Sequence, residues 1–166
     1  AAGFSLLVKA LHAAGYPLVV LAPAGNHSAT GMRINLMKPM PLRSRDDLLE
    51  AWSLDSHQTP VHLFELDGTP CDTMIVALDG GLNHLVPGVH PQMVVSGVNL
   101  GPNLSQDAYH SGTMGAAREA GLYGVPAIAS SFTSFEPAGI EVAVAATLEA
   151  VGRAAGVLPL RAENLG

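Results

Sequence analysis

An α/β fold is what this sequence predicts: a mostly parallel, Rossmann-like sheet in three layers, with helices on both faces. Three observations carry that expectation. Short apolar runs are bounded by turn residues, and amphipathic helical stretches separate them. Polar side chains then gather just past the carboxyl ends of those runs. Strands separated by helices of this length indicate βαβ units.

The elements follow in order. Phe4, Leu7, Val8 and Leu11 fall at i, i+3, i+4 and i+7, the spacing of one helix face, and predict a helix over 3–14. The apolar run 18–22 is a strand, after which a polar loop carries Ile34 and Leu36 through a less regular stretch to Leu42. Residues 43–60, with Arg45-Asp46-Asp47 and Trp52, form a short helix or an excursion. Asp46 and Asp47 are expected on a solvated face with local ion pairs, which needs no cofactor. A strand at 61–66 reaches Gly68. Thr69 then caps a helix with Pro70 at its first position and Asp72 at its third, a standard start signal. Met74, Ile75, Leu78 and Leu82 continue that helix toward Asn83. A strand at 93–96, a helix opening at 111–113, a strand at 127–131 and a helix over 139–155 complete the set.

In open parallel sheets ligands sit beyond the carboxyl ends of the strands. Ser28 follows one predicted strand, Asn99 follows another, and Ser130-Ser131 ends a third, so one edge collects the polar chemistry. The densest segment begins at Met93-Val94-Val95-Ser96-Gly97-Val98-Asn99-Leu100-Gly101-Pro102-Asn103. It continues through His110 to Ser111-Gly112-Thr113, which opens the alanine-rich helix. The first turn of a helix leaves backbone N–H groups unpaired and carries partial positive charge, so it welcomes an anion. Asn carboxamides and hydroxyls upstream add neutral oxygens and donors suited to phosphate or to a hard cation beside it. Taken singly, Ser111 or Thr113 is a helix cap and the glycines serve tight turns. The whole segment points to phosphate handling.

That segment resembles the signature of the SurE-type survival protein family, metal-dependent nucleotidases and acid phosphatases. The family pattern is Ser-Gly-x-Asn-x-Gly-x-Asn, a spacer with an Asp, then Ser-Gly-Thr and an alanine-rich helix. Ser96, Gly97, Asn99, Gly101, Asn103, Asp107, Ser111, Gly112, Thr113, Ala116, Ala117 and Glu119 fall in register, with His110 where the family often has Tyr. Val19-Val20-Leu21-Ala22-Pro23 with Asn26-His27-Ser28, Gly68-Thr69-Pro70-Cys71-Asp72 and Gly124-Val125-Pro126-Ala127-Ile128-Ala129-Ser130 extend the resemblance from residue 1 to about residue 132. The resemblance implies hydrolysis of nucleoside monophosphates to nucleoside and phosphate, by a 5′/3′-nucleotidase with possible exopolyphosphatase activity in the family. It implies a divalent cofactor, Mg²⁺ or Mn²⁺, with Ser28 and Asn99 among its ligands. Asn103, Ser111, Gly112 and Thr113 would bind phosphate or substrate, with Asn26 a lining residue. The family opens with a strand ending in Asn-Asp-Asp-Gly, whose two aspartates carry most of the metal affinity. This chain opens at Ala1-Ala2-Gly3-Phe4, where the family's following helix would start, so no catalytic residue is assigned within it. Residues 1–166 are accordingly expected to be a single SurE-like phosphatase core, truncated or unordered at both ends and without the family's C-terminal arm. Homodimers or homotetramers are the expected assembly.

Composition bounds the alternatives. A chain of 166 residues with 48% apolar content suits one domain with a sizeable core. The net charge of −6, with no Lys/Arg cluster, argues against a nucleic-acid polymer as partner. The single cysteine, Cys71, forms no internal disulfide and sits in a helix's first turn, where its pKa is expected to fall somewhat. A reducing, cytoplasmic setting follows as an expectation, with no apolar run long enough to span a membrane. Nor does any serine-hydrolase elbow, P-loop or dinucleotide-binding Gly motif appear. The competing expectation is a catalytically lapsed nucleotide- or phosphate-binding module.

Overall fold

A computed structural model describes residues 2–158. The first helix, α1 (Ala2–Ala13), buries Gly3, Leu7, Val8 and Leu11, the face that its periodicity predicts apart from half-buried Phe4. Gly3 is required by close approach: a Cβ there would lie 2.7 Å from both the Val98 carbonyl oxygen and Ile140 Cδ1.

Two sheets follow. In the first, β1 (Leu18–Pro23) pairs in parallel with β3 (Val61–Leu66), and β2 (Leu42–Ser44) pairs antiparallel with the other edge of β3. In the second, β4 (Val94–Leu100) pairs in parallel with β5 (Ala127–Phe132). The parallel pairs bear out the expected α/β class, but β1 and β4 share no ladder, and the predicted sheet is divided between them. The short strand β2 lies in what the sequence presents as irregular chain.

Helices cover both faces. α1 packs with α7 (Ile140–Ala155), and both reach β4. α3 (Pro70–Val76) packs with α6 (Gly112–Leu122), and α6 lies on β4 and β5. Two apolar clusters result. Leu7, Leu11, Val98, Ile140, Val144 and Val151 form one core. Val8, Leu54, Val61 and Leu63 form the other, flanked by Phe4 edge-on to Trp52 at 6.4 Å between ring centroids. Between β2 and β3, α2 (Asp47–Ala51) stands in the expected excursion. Arg45 just before it binds Asp47 at 2.8 Å and Glu65 at 2.6 Å, so Asp47 sits in a local ion pair, while Asp46 accepts from the Ser44 hydroxyl at 2.7 Å.

Two predicted elements differ. The helix starting at Thr69 does not run to Asn83: it ends at Val76, passes through a wide turn at Ala77–Gly81, and resumes as α4 (Leu82–Leu85). Gly80 adopts φ 91° there, and a Cβ at Gly81 would fall 2.1 Å from the Val76 carbonyl oxygen. Strand β4 runs on past Ser96 to Leu100, with a break in register between Ser96 and Asn99. Asn99 therefore sits within the strand's last turn of ladder, paired with Ser131, and not in the loop beyond it.

Candidate functional site at the carboxyl edge

The loop after β1 is built by side chains bonding to local backbone. Asn26 Oδ1 accepts from the Ser28 backbone N–H at 3.0 Å and from the Ser28 hydroxyl at 2.8 Å. Ser28 is exposed, and with its proton directed to Asn26 its oxygen lone pairs remain available to a ligand. Thr30 donates to the His27 carbonyl at 2.8 Å, and the Gly31 N–H donates to the His110 carbonyl at 2.7 Å. These contacts fasten the loop to the start of α6.

Two glycines of α6 allow that fastening. A Cβ on Gly112 would meet Pro70 Cγ at 2.9 Å and Thr30 Oγ1 at 3.0 Å. A Cβ on Gly115 would lie only 2.2 Å from the Gly31 carbonyl oxygen. Ser111 is the N-cap of α6, accepting from the Met114 N–H at 3.2 Å. It is a buried cap whose hydroxyl proton is still free to point elsewhere. Gly112 and Thr113 occupy the first turn, where backbone N–H groups lack intrahelical partners. Just ahead lies α5 (Asp107–His110), a turn of helix in what the sequence presents as spacer. Arg118 of α6 donates to the Ala108 carbonyl at 2.9 Å and stacks over Tyr109 at 5.2 Å, thereby bracing α5.

The second half of the edge surrounds β4. Asn99 Nδ2 donates to the Gly101 carbonyl at 2.8 Å and to the Leu100 carbonyl at 3.3 Å, which aims its Oδ1 away from those groups as a free acceptor. Asn103 Nδ2 donates to Ser131 Oγ at 2.6 Å and so ties the signature loop to the end of β5. Ser130 in turn shares a 2.6 Å hydrogen bond with Thr147 of α7. Residues 27–31 thus meet Gly112 and Gly115 of α6, while Asn99 and Asn103, at and just after the end of β4, bond to Gly101 and Ser131. Between these segments in the chain, α5 ends at His110, whose carbonyl accepts from the Gly31 N–H.

Sequence reasoning missed a support for this edge. Asp72, 2% exposed, accepts from the Asn35 backbone N–H at 2.9 Å, the Asn35 side chain at 2.6 Å and the Thr69 N–H at 2.7 Å. Burial alone would raise its carboxyl, but the N–H groups of Thr69 and Asn35 outweigh that and hold it below the usual carboxylate range. Thr69 adds a bond to the Arg33 carbonyl at 2.6 Å. The helix cap was legible as a cap; its grip on residues 33–35 spans 37 positions and left no local signal. Cys71 corrects an expectation. Its side chain is fully buried, so burial, with the charges of Glu119 and Asp72, pushes the thiol up to about 11, overriding the helix start.

The oxygens of Ser28 and Asn99 are hard, neutral donors of the type Mg²⁺ and Mn²⁺ accept. Two neutral oxygens do not complete a shell, and among the described residues no three His, Cys, Asp or Glu side chains group as a metal set. The residues described therefore fit a contribution to a cation site and not a whole one.

Comparison with known proteins settles the family. The family model described as Survival protein SurE matches residues 1–161. The chain belongs to the SurE family. A protein named 5′-nucleotidase SurE from Desulfitobacterium hafniense is 38% identical over 135 residues, covering 81% of this chain and 47% of that protein. One of the same name from Gloeobacter violaceus is 35% identical over 147 residues, covering 83% of this chain and 49% of the relative. The crystal structure of the SurE protein from Aquifex aeolicus superposes with a TM-score of 0.73 at 29% identity, covering 92% of this chain and 54% of that one. The chain spans about half the length of the curated relatives it matches. Among the described residues no helix is long and apolar enough to cross a membrane.

Proposed function

We propose that this SurE-family protein is a metal-dependent phosphomonoesterase that hydrolyses nucleoside monophosphates to nucleoside and phosphate. The observation that carries the reading is the meeting of the 26–31 loop with the start of α6, where Gly112 and Gly115 let the loop that carries exposed Ser28 lie against a helix N-terminus. The relatives named 5′-nucleotidase SurE support the same chemistry.

In this reading Ser28 and Asn99 would each give one oxygen to Mg²⁺ or Mn²⁺. Such an ion would supply Lewis-acid chemistry at the phosphoryl group. The chain's own residues do the holding. Backbone N–H groups of Gly112 and Thr113, with the Ser111 and Thr113 hydroxyls and the Asn103 carboxamide, bind phosphate oxygens as charge builds on them. His110, exposed at the end of α5, stands near enough in sequence to be an acid–base candidate, but among the described residues no hydrogen bond positions its ring, and no role is assigned to it. We further place the protein in the cytoplasm as a homodimer or homotetramer, a reading that one buried cysteine and the family support.

The test is orthophosphate release from a panel of 5′- and 3′-nucleoside monophosphates and polyphosphate, with Mn²⁺, with Mg²⁺ and with chelator. Release that needs metal is expected. No release from any substrate with either ion would leave the edge an anion-binding module without turnover.

A further inference from the structure

Phe135 stands beyond the end of β5, in the turn that leads to α7, and is 76% exposed. Single exposed apolar side chains are ordinary and need no explanation. This one has a seat. A Cβ on Gly101 would fall 2.7 Å from Phe135 Cε1, 3.0 Å from Cδ1 and 3.6 Å from Cζ, so one side of the ring rests on the Gly101 backbone. Gly101 is buried and adopts φ 108°, a conformation that residues with a Cβ rarely take. Glycine there serves both the turn and the ring.

The seat lies inside the signature loop. Asn99 donates to the Gly101 carbonyl at 2.8 Å, and Asn103, just beyond, donates to Ser131 Oγ at 2.6 Å. β4 and β5 stay in register through Leu100 and Phe132, so the chain beyond β5 runs alongside the loop beyond β4. The Glu136 N–H donates to Ser134 Oγ at 3.0 Å, a local bond that spans Phe135 and fixes its turn. Phe135 is thus held against the stretch that carries Asn99 and Asn103, the two carboxamides proposed to hold metal and phosphate.

The other rings of the described residues are engaged differently. Phe4 and Trp52 pack on one another, and Arg118 covers the Tyr109 ring. Among the described residues no aromatic ring or cation stacks on Phe135. A flat π surface that is braced on one side and otherwise open takes a flat aromatic partner by stacking.

We propose that Phe135 is the base platform of this edge, its ring stacking on the nucleobase of a nucleotide whose phosphate is held by the signature loop and the start of α6. The inference rests on the reading of this edge as a nucleotide site. Stacking engages the π face that every base carries and reads no hydrogen-bond pattern. The platform therefore favours nucleotides over sugar phosphates and tolerates any base.

The test is a binding titration of etheno-AMP, a fluorescent adenine nucleotide, with Mg²⁺ and wild type, Phe135→Ala or Phe135→Tyr. Ribose 5-phosphate, which has the sugar and phosphate without a base, competes in each titration. Phe135→Ala is expected to weaken the nucleotide about tenfold and Phe135→Tyr to keep wild-type affinity, while ribose 5-phosphate binds all three alike. No saturable binding to wild type, undiminished nucleotide binding by Phe135→Ala, or an equal loss for ribose 5-phosphate would each overturn the proposal. Phosphate release is measured separately. Binding that depends on Phe135 without turnover would count against the phosphatase reading alone. Turnover by wild type, with Phe135→Ala binding nucleotide equally well, would count against the platform alone.

Discussion

Replacing Gly115 by alanine sets two effects of opposite sign against each other. Alanine is the better helix former, by up to about 1 kcal/mol in a helix interior. Against that, the new methyl would lie 2.2 Å from the Gly31 carbonyl oxygen and 2.9 Å from its carbon, where ordinary contact begins near 3.4 Å. Backbone cannot swing aside as a flexible side chain does, so the 26–31 loop must move off α6 by about 1 Å. Overpacking of this kind costs roughly 1–3 kcal/mol. The 2.7 Å bond from Gly31 to His110 is lost or stretched as well, at about 1 kcal/mol. The steric side wins, and Gly115→Ala should destabilise by about 1–3 kcal/mol. Gly121 supplies the control in the same helix: a Cβ there meets nothing within 4 Å, so Gly121→Ala should be neutral or stabilising. Urea unfolding with a constant m-value measures both. If Gly115→Ala is as stable as Gly121→Ala, the close approach of loop and helix that builds the site is wrong.

Three further outcomes follow from the same geometry. Asp72→Ala leaves the Thr69 and Asn35 N–H groups without their buried acceptor, for a loss of roughly 2–5 kcal/mol at pH 7. Because the folded-state carboxyl is held below its ordinary value, its contribution is complete above the unfolded pKa of about 3.9 and disappears as pH falls through the folded pKa. The gap between wild type and variant should therefore be flat from pH 7 to 5 and close below about pH 4; a gap unchanged at pH 3 would refute the carboxylate's role. The Cys71 thiol, buried and raised to about 11, should resist Ellman's reagent at pH 8 until urea unfolds the chain, and prompt reaction of native protein would contradict its placement. Thr113→Val should raise KM for nucleotide with the fold intact, since the hydroxyl is proposed to hold phosphate; unchanged kinetics would make it structural only.

Local chemistry was legible in the sequence and long-range pairing was not. The α1 face showed in its periodicity, and the caps at Thr69 and Ser111 showed in residue type and order. The break after Val76 also had a local signal, Gly80-Gly81, but apolar Leu78 and Leu82 carried a helical pattern across it. β2, three residues long, is too short for any period to register and exists because β3 offers an edge. Division of the sheet depends on which strands neighbour one another, and apolar runs look alike whichever partner they take. At the site, the residue types were evident, whereas the grip of Asp72 on Asn35 and the seating of Gly115 against Gly31 join positions far apart in the chain.

The central claim is that the carboxyl edge is one catalytic site in which Asn99 presents a carboxamide oxygen to the metal. Its most direct test is Mn²⁺-dependent phosphate release from nucleoside monophosphates by wild type and Asn99→Ala, with urea unfolding confirming that both are folded. The account predicts that turnover collapses by a hundredfold or more, on the order of 3 kcal/mol of transition-state stabilisation, while stability changes little. Wild-type turnover in folded Asn99→Ala would contradict it.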